Sequence, residues 1–275
     1  MPGQVRFSNV GIFTRNQKKA KGFYVRKVGL KVRQHIPKMG YLALGASVGG
    51  GDASLNIWQP TRETWGEDYR AALKQVGQAT GIGFRTADLD KTLAMMKRRG
   101  VKVDWVEEEP GGRMASILDP EHNSIFVYES AKSRTHGAGL DKLDFVTIVT
   151  RDANRAGIFF SRVLGMKRLK TFGLGMLDYR LSPKGTALVP FKPMRNLYDR
   201  VSDYRDDLAH IGEDTSIMFE TSDVYSFQER LLKKGVRFKA KAKPASWGGI
   251  EAYFYDPDKN LYMVYQPVTL PRRKK

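Results

Sequence analysis

The sequence predicts an α+β protein of two tandem domains, each assembled from a pair of βαβββ units. Three observations carry this. At 275 residues the chain has the length of two ordinary domains. Its second half repeats the first: VGIFTRNQKKAKGFYVRKVGL, from Val10, matches VTIVTRDANRAGIFFSRVLGM, from Val146, at a constant offset that pairs Thr14 with Thr150, Arg15 with Arg151, Phe23 with Phe159 and Gly29 with Gly165. Within each half, period-two and helical hydrophobic patterns follow one another in the same order twice.

The elements can be justified in turn. Val5 to Thr14 alternates as a strand. Gln17 to Val28 then places Ala20, Phe23, Tyr24 and Val28 at helical spacing, with lysines on the opposite face. Short strands follow at Lys31 to His35, Tyr41 to Ala46 and Ala53 to Trp58. Gly49, Gly50 and Gly51 form a hairpin loop between the last two, where tolerance of positive φ is useful. A loop or short helix, Glu63 to Val76, leads to a restart: a strand at Gly81 to Thr86, a helix at Leu89 to Arg98 closed by Gly100, and strands at Val101 to Trp105, Met114 to Leu118 and Ser124 to Tyr128. The second half answers in register within a few residues. Thr86, Asp88 and Gly100 correspond to Thr221, Asp223 and Gly235, and Asp119, Pro120 and Asn123 to Asp256, Pro257 and Asn260. The expected domains are residues 1–130 and 141–269, joined by a small, polar linker at 131–140 and followed by a basic tail at 270–275.

Composition narrows the function. With 41% hydrophobic and 28% charged residues the chain is globular, and no run reaches the 18 apolar residues of a spanning helix. MPGQVRFSNV has no apolar core of a signal peptide and cysteine is absent, so the expected compartment is the cytoplasm, without disulfides, thiolate nucleophiles or cysteine-bound metal. The net charge of +18 and pI near 9.9 point to anionic partners. No Asp or Glu precedes Asp52, and the helix from Gln17 presents Lys18, Lys19, Lys21, Arg26 and Lys27 with nothing local to neutralise them. Such a face attracts phosphates without specifying sequence, and these five residues are the expected polyanion-binding set.

The βαβββ–βαβββ order, the aromatic pair before a glycine (Phe23, Tyr24, Gly29; Phe159, Phe160, Gly165) and DPxxN before the last strand of each half (Asp119 to Asn123; Asp256 to Asn260) resemble the vicinal oxygen chelate superfamily. That superfamily includes glyoxalase I, bleomycin-resistance proteins and extradiol dioxygenases. The resemblance covers about 5–129 and 142–267, and the tandem form is similar to the extradiol dioxygenases. It implies, in each domain, a curved eight-stranded mixed sheet around a hollow. It also implies a divalent metal held there by His, Gln or Glu from the first, fourth, fifth and eighth strands. In this sequence those positions fall on Asn9, Asn56, Gly81 and Phe126, and on Phe145, Val189, Ser216 and Met263. None is His, Glu, Asp or Gln; aliphatic and aromatic groups do not coordinate, and the two Asn amides are weaker ligands than imidazole or carboxylate. Of nearby residues only Asp144 is acidic, and His35, His122, His136 and His210 show no metal-ligand spacing. No metal, cofactor or catalytic residue is therefore expected.

Alternation turns Asn9, Asn56, Trp58, Arg85, Ser124 and Tyr128 into the first hollow, a pocket of amides, hydroxyls and a guanidinium between aromatic walls. The second hollow is mostly apolar. Three functions follow as alternatives. The first is a metal-free, non-catalytic protein that holds a small organic ligand, anionic and aromatic, on those six residues. The second is a basic accessory or architectural protein docked on nucleic acid or a large complex. The third is a lyase, isomerase or dioxygenase of the superfamily's type, either metal-independent or with ligands at other positions.

Overall fold

The structure is a computed structural model and describes residues 5–77, 79–109, 111–130, 137–170 and 176–268. All four units are present. The first is β1 (Arg6–Phe13), α1 (Gln17–Lys21) continued by a π-helical segment (Gly22–Val28), β2 (Lys31–Ile36), β3 (Tyr41–Gly45) and β4 (Ser54–Trp58). Short helices α2 (Arg62–Trp65) and α3 (Tyr69–Lys74) lead to the second: β5 (Ala79–Thr86), α4 (Leu89–Arg98), β6 (Lys102–Glu109), β7 (Gly112–Leu118) and β8 (Ser124–Ser130). The third is β9 (Leu140–Val149), α5 (Ala153–Ile158) with a π-helical continuation (Phe159–Val163), β10 (Lys167–Lys170), β11 (Leu177–Arg180) and β12 (Ala187–Phe191). After α6 (Val201–Ala209) comes the fourth: β13 (Asp214–Glu220), α7 (Val224–Lys233), β14 (Phe238–Pro244), β15 (Ile250–Tyr255) and β16 (Leu261–Gln266). Each unit's helix starts the same way, with the side chain of Asn16, Asp88, Asp152 or Asp223 accepting a first-turn backbone N–H. The π segments differ from the plain helix expected. Their wider turn brings the amides of both Gly29 and Leu30 to the Tyr24 carbonyl and lets Phe23, Tyr24 and Val28 all reach the core.

The architecture is α+β with two eight-stranded mixed sheets, as predicted, but the units pair differently. One sheet runs β14-β15-β16-β13-β1-β4-β3-β2 and the other β10-β11-β12-β9-β5-β8-β7-β6. The first unit therefore shares its sheet with the fourth, through antiparallel β1 and β13, and the second with the third, through β5 and β9. Neither sequence half closes a sheet of its own. The expected linker is also shorter: Leu140 already belongs to β9, and the Gly139 amide donates to Thr92 while its carbonyl accepts from Thr86. Residues 131–136, including His136, and the basic tail lie outside the described residues.

One face of each sheet packs under helices. Val10, Ile12, Leu55 and Ile57 meet Ala20, Phe23, Tyr24 and Val28, and the same apolar cluster runs on through Phe84, Phe160, Phe219 and Phe254. Within each half, DPxxN further ties one unit to the other, and so one sheet to the other. Asp119 accepts from the amides of Glu121 and Asn123, the Asn123 side chain and the Tyr24 hydroxyl of the neighbouring unit, while Asn123 donates to the Phe13 carbonyl. Asp256 and Asn260 repeat this against Val149. Part of the basic excess lies on sheet edges: Lys31 on β2, Lys167 and Arg168 on β10, and Lys239, Lys241 and Lys243 on β14 are all exposed. Charged side chains there discourage pairing with another chain. No helix among the described residues is long and apolar enough to cross a membrane.

Candidate functional site

The exchange of units divides the six residues expected to line one pocket. Asn9, Asn56 and Trp58 lie in the sheet of units one and four, whereas Arg85, Ser124 and Tyr128 lie in the other. A first-domain hollow containing all six is not formed, because β1 pairs with β13, which carries β16 beyond it, and not with β5 and its neighbour β8. Arg85 is not a buried recognition group either. It pairs with Asp141 at 3.4 Å, both side chains being about two-fifths exposed (42% and 41%).

The helix-free faces of the two sheets contrast sharply. Behind β5 and β9, Tyr128, Phe145, Ala187 and Val189 form a second apolar cluster, joined by Met114, Phe126 and Met176. Gly83 makes this possible, since a Cβ there would come within 2.2 Å of the Phe145 ring. That hollow is filled. Asp144, beside Phe145, is buried between Arg180 at 3.0 Å and Lys142 at 2.7 Å. Burial pushes its carboxyl up, but the two cations prevail and hold it below the ordinary carboxylate value.

Behind β1 and β13 the surface is polar and aromatic. Register sets Asn9 beside Ser54 and Met218, and Gly11 beside Asn56. The Asn9 side-chain amide donates to the Tyr265 hydroxyl at 3.0 Å, which donates to Glu220 at 2.9 Å, which also accepts from Arg6 at 2.7 Å. Tyr41 points its hydroxyl at the Asn56 carbonyl oxygen from 3.5 Å and packs on Trp58, whose ring also meets Trp65. The absent side chain of Gly11 leaves room for the Trp58 indole, which lies 3.1 Å from where a Cβ would stand. Trp58, Tyr41, Trp65, Met218, Met263 and Tyr265 are half-exposed, but Asn56 is only 1% exposed and its Nδ2 has no hydrogen-bond partner. A cleft of about 500 Å³ adjoins this face at Arg6 and Glu220, reaching Leu181, Ser182 and Gln266. A smaller cavity of about 130 Å³ lies between the sheets, lined by equivalent residues of both halves such as Thr80 and Thr215, or Asn123 and Asn260.

Burial raises the Tyr41 and Tyr265 hydroxyls to about 12, with nearby Glu220 adding to both shifts, and it pushes Tyr24 and Tyr262 well above the ordinary value of 10. The folded state thus holds these protons more tightly than the unfolded chain. The stabilisation is complete below the ordinary value and lost as pH rises through the folded one. An alkaline titration followed by phenolate absorbance is therefore expected to show a late step near pH 12 that weakens in Tyr41→Phe and Tyr265→Phe. Ionisation of all twelve tyrosines near the ordinary value, with the protein still folded, would contradict the packing of this face.

With the units exchanged, the superfamily's four metal positions become Asn9, Asn56, Ser216 and Met263 in the polar hollow, and Gly81, Phe126, Phe145 and Val189 in the filled one. The polar set offers two amides, a hydroxyl and a thioether, with the Asn9 amide committed to Tyr265. This donor set does not fit a divalent cation. Among the described residues no three His, Asp or Glu side chains are grouped to hold a metal. His35 bonds Lys21 and Gln17, His210 bonds Glu213, and His122 sits in the DPxxN turn at positive φ.

The basic set is found largely where the sequence puts it. Lys18, Lys19, Arg26 and Lys27 are exposed, whereas Lys21 leans on His35 at 3.1 Å. What sequence reasoning missed is the neighbour. Lys27 donates to the Gly100 carbonyl and Arg99 to the Lys27 carbonyl, which sets the basic end of α4 against this helix.

Comparison with known proteins agrees with this architecture. The family model described as "Glyoxalase/Bleomycin resistance protein/Dioxygenase superfamily" matches residues 6–127 and again 142–264. Among solved structures, glyoxalase I from Zea mays is similar at 16% identity, with 96% of this chain and 93% of that chain covered and a TM-score of 0.66. A Bacillus subtilis protein provisionally described as a dioxygenase matches at 12% identity over 97% and 86%, with a TM-score of 0.59. TnmS3, an antibiotic binding protein from Streptomyces sp. CB03234, matches 46% of this chain and 96% of its own at 28% identity, with a TM-score of 0.38. No curated protein matches the chain in sequence. These likenesses extend to the fold alone, but the two family matches together span most of the sequence, and the chain belongs to the glyoxalase/bleomycin resistance protein/dioxygenase superfamily.

Proposed function

We propose that this protein binds a small organic molecule, without metal and without chemistry, on the polar face of the sheet shared by the first and fourth units. The observation that carries the reading is the Asn56 side chain, fully buried beside Tyr41 and Trp58 with an amide donor that nothing accepts. A buried unpaired donor costs about 1–3 kcal/mol, a cost that a ligand's acceptor oxygen would remove. The half-exposed Trp58, Trp65 and Tyr41 suit a flat aromatic body. A carboxylate or carbonyl oxygen on the ligand fits Asn56. Arg85 no longer supplies a reason to require a full negative charge.

The near-isosteric Asn56→Leu separates a binding role from a packing one. With a binding role, the ligand-free variant is expected to melt close to the wild-type temperature, since removal of the unpaired amide offsets loss of the long 3.5 Å contact from the Tyr41 hydroxyl. A panel of planar aromatic carbonyls and carboxylates, followed by tryptophan fluorescence, should contain compounds that quench the wild type and not the variant. A clear loss of melting temperature, together with no quenching of wild type by any member of the panel, would overturn the proposal.

A further inference from the structure

We infer that the surface where the first helix meets the end of α4 binds the sugar-phosphate backbone of a nucleic acid duplex, independently of sequence. Two basic segments far apart in the chain form this surface. The first helix contributes exposed Lys18, Lys19, Arg26 and Lys27, and α4 contributes exposed Lys97, Arg98 and Arg99. They are held together by the Lys27 ammonium on the Gly100 carbonyl, 3.2 Å, and the Arg99 guanidinium on the Lys27 carbonyl, 3.5 Å.

None of these seven cations takes part in an ion pair among the described residues. Five carboxylates of the same half pair with other cations: Asp52 with Arg33, Asp88 with Lys91, Asp90 and Glu108 with Arg113, and Glu121 with Arg15. The corresponding surface of the second half carries fewer unpaired cations. There Arg155 and Arg151 pair with Asp258 and Lys233 with Glu229, which leaves exposed Arg162 and Lys234, the latter donating to the Arg162 and Val163 carbonyls. Two halves with one fold thus differ in how far the basic face has been balanced. Seven unbalanced cations repel one another unless an anion of matching extent lies over them.

The shape of the anion follows from what the patch lacks. Phe23 and Tyr24 are buried in the core, and Tyr225, on α7, is the sole aromatic among the exposed large hydrophobic residues described. Single-stranded nucleic acid is held largely by stacking bases on exposed aromatic rings, and among the described residues this patch has none. A duplex hides its bases and offers closely spaced phosphates, which lysine and arginine bind as point charges and planar forks.

The test is a salt titration of binding, by fluorescence anisotropy, to a random-sequence DNA duplex, its RNA counterpart and the same DNA as a single strand. Four proteins are compared: wild type, Lys18→Glu with Lys19→Glu, Lys97→Glu with Arg98→Glu, and Arg162→Glu with Lys233→Glu as the equivalent change in the second half. Wild type should bind duplex in about 50 mM salt, with log K falling steeply against log salt, by roughly 0.9 per phosphate contacted. Each first-half pair should weaken binding about tenfold or more and flatten the slope by roughly two contacts, while the second-half pair should leave both nearly unchanged. The RNA arm decides which duplex is preferred. No binding to either duplex, equal losses from the second-half pair, tighter binding to the single strand, or binding to anionic lipid vesicles in place of the duplex would each overturn the inference.

Discussion

Cutting the chain at a protease site engineered between residues 131 and 136 is expected to leave one particle, not two. Each sheet is continuous across the cut: β1 hydrogen-bonds along β13, with Phe7 opposite Phe219 and Val10 opposite Ile217, and β5 pairs along β9. To separate, the fragments would have to expose both seams and the apolar cluster that runs through all four units. At about 25 cal/mol per Å² of apolar surface, the cost of opening interfaces of that kind exceeds the roughly 4 kcal/mol that corresponds to the millimolar effective concentration a covalent linker supplies. Size-exclusion chromatography with light scattering of the cleaved protein, at micromolar concentration and after dilution, should therefore show the full mass. Two half-mass peaks that each keep native circular dichroism would mean that each half folds as a closed domain, and the exchanged sheets would be wrong.

Replacing Asp119 with alanine should be among the most damaging single changes. Its carboxylate is 7% exposed and accepts four hydrogen bonds: the amides of Glu121 at 2.8 Å and Asn123 at 2.9 Å, the Asn123 side chain at 2.8 Å and the Tyr24 hydroxyl at 3.0 Å. Alanine leaves these donors without an acceptor. At about 1–3 kcal/mol for each unpaired buried group, and allowing for partial relaxation, the loss should be roughly 3–5 kcal/mol. Asp256→Ala should cost a similar amount, because Asp258, Asn260 and Tyr262 present it with the same four donors. Urea unfolding of both variants is the measurement. A change below about 1 kcal/mol in either would show that the DPxxN turn is not the tie between units that its hydrogen bonds describe.

The repeat itself was legible because its cause is local. Strand alternation, helical spacing and the DPxxN turns are all decided within about a dozen residues, so the sequence displays four units in their correct order. The substituted metal positions were legible for the same reason. So was the unbalanced charge before Asp52, since counting side chains needs no fold.

Which units share a sheet was not legible, and the physical reason is the repeat. Four near-copies present the same kind of strand edge, so β1 is complementary in pattern to β5 and to β13 alike. Local periodicity contains no term that distinguishes them, and tertiary packing made the choice. Every statement that depended on that choice changed with it. Arg85, Ser124 and Tyr128 left the predicted pocket, Glu220, Met218 and Tyr265 entered it, and the polar face of the first unit came to lie beside the fourth. The unpartnered Asn56 amide and the meeting of Lys27 with Gly100 are likewise visible only in three dimensions, because each is a relation between residues that the sequence alone does not place together.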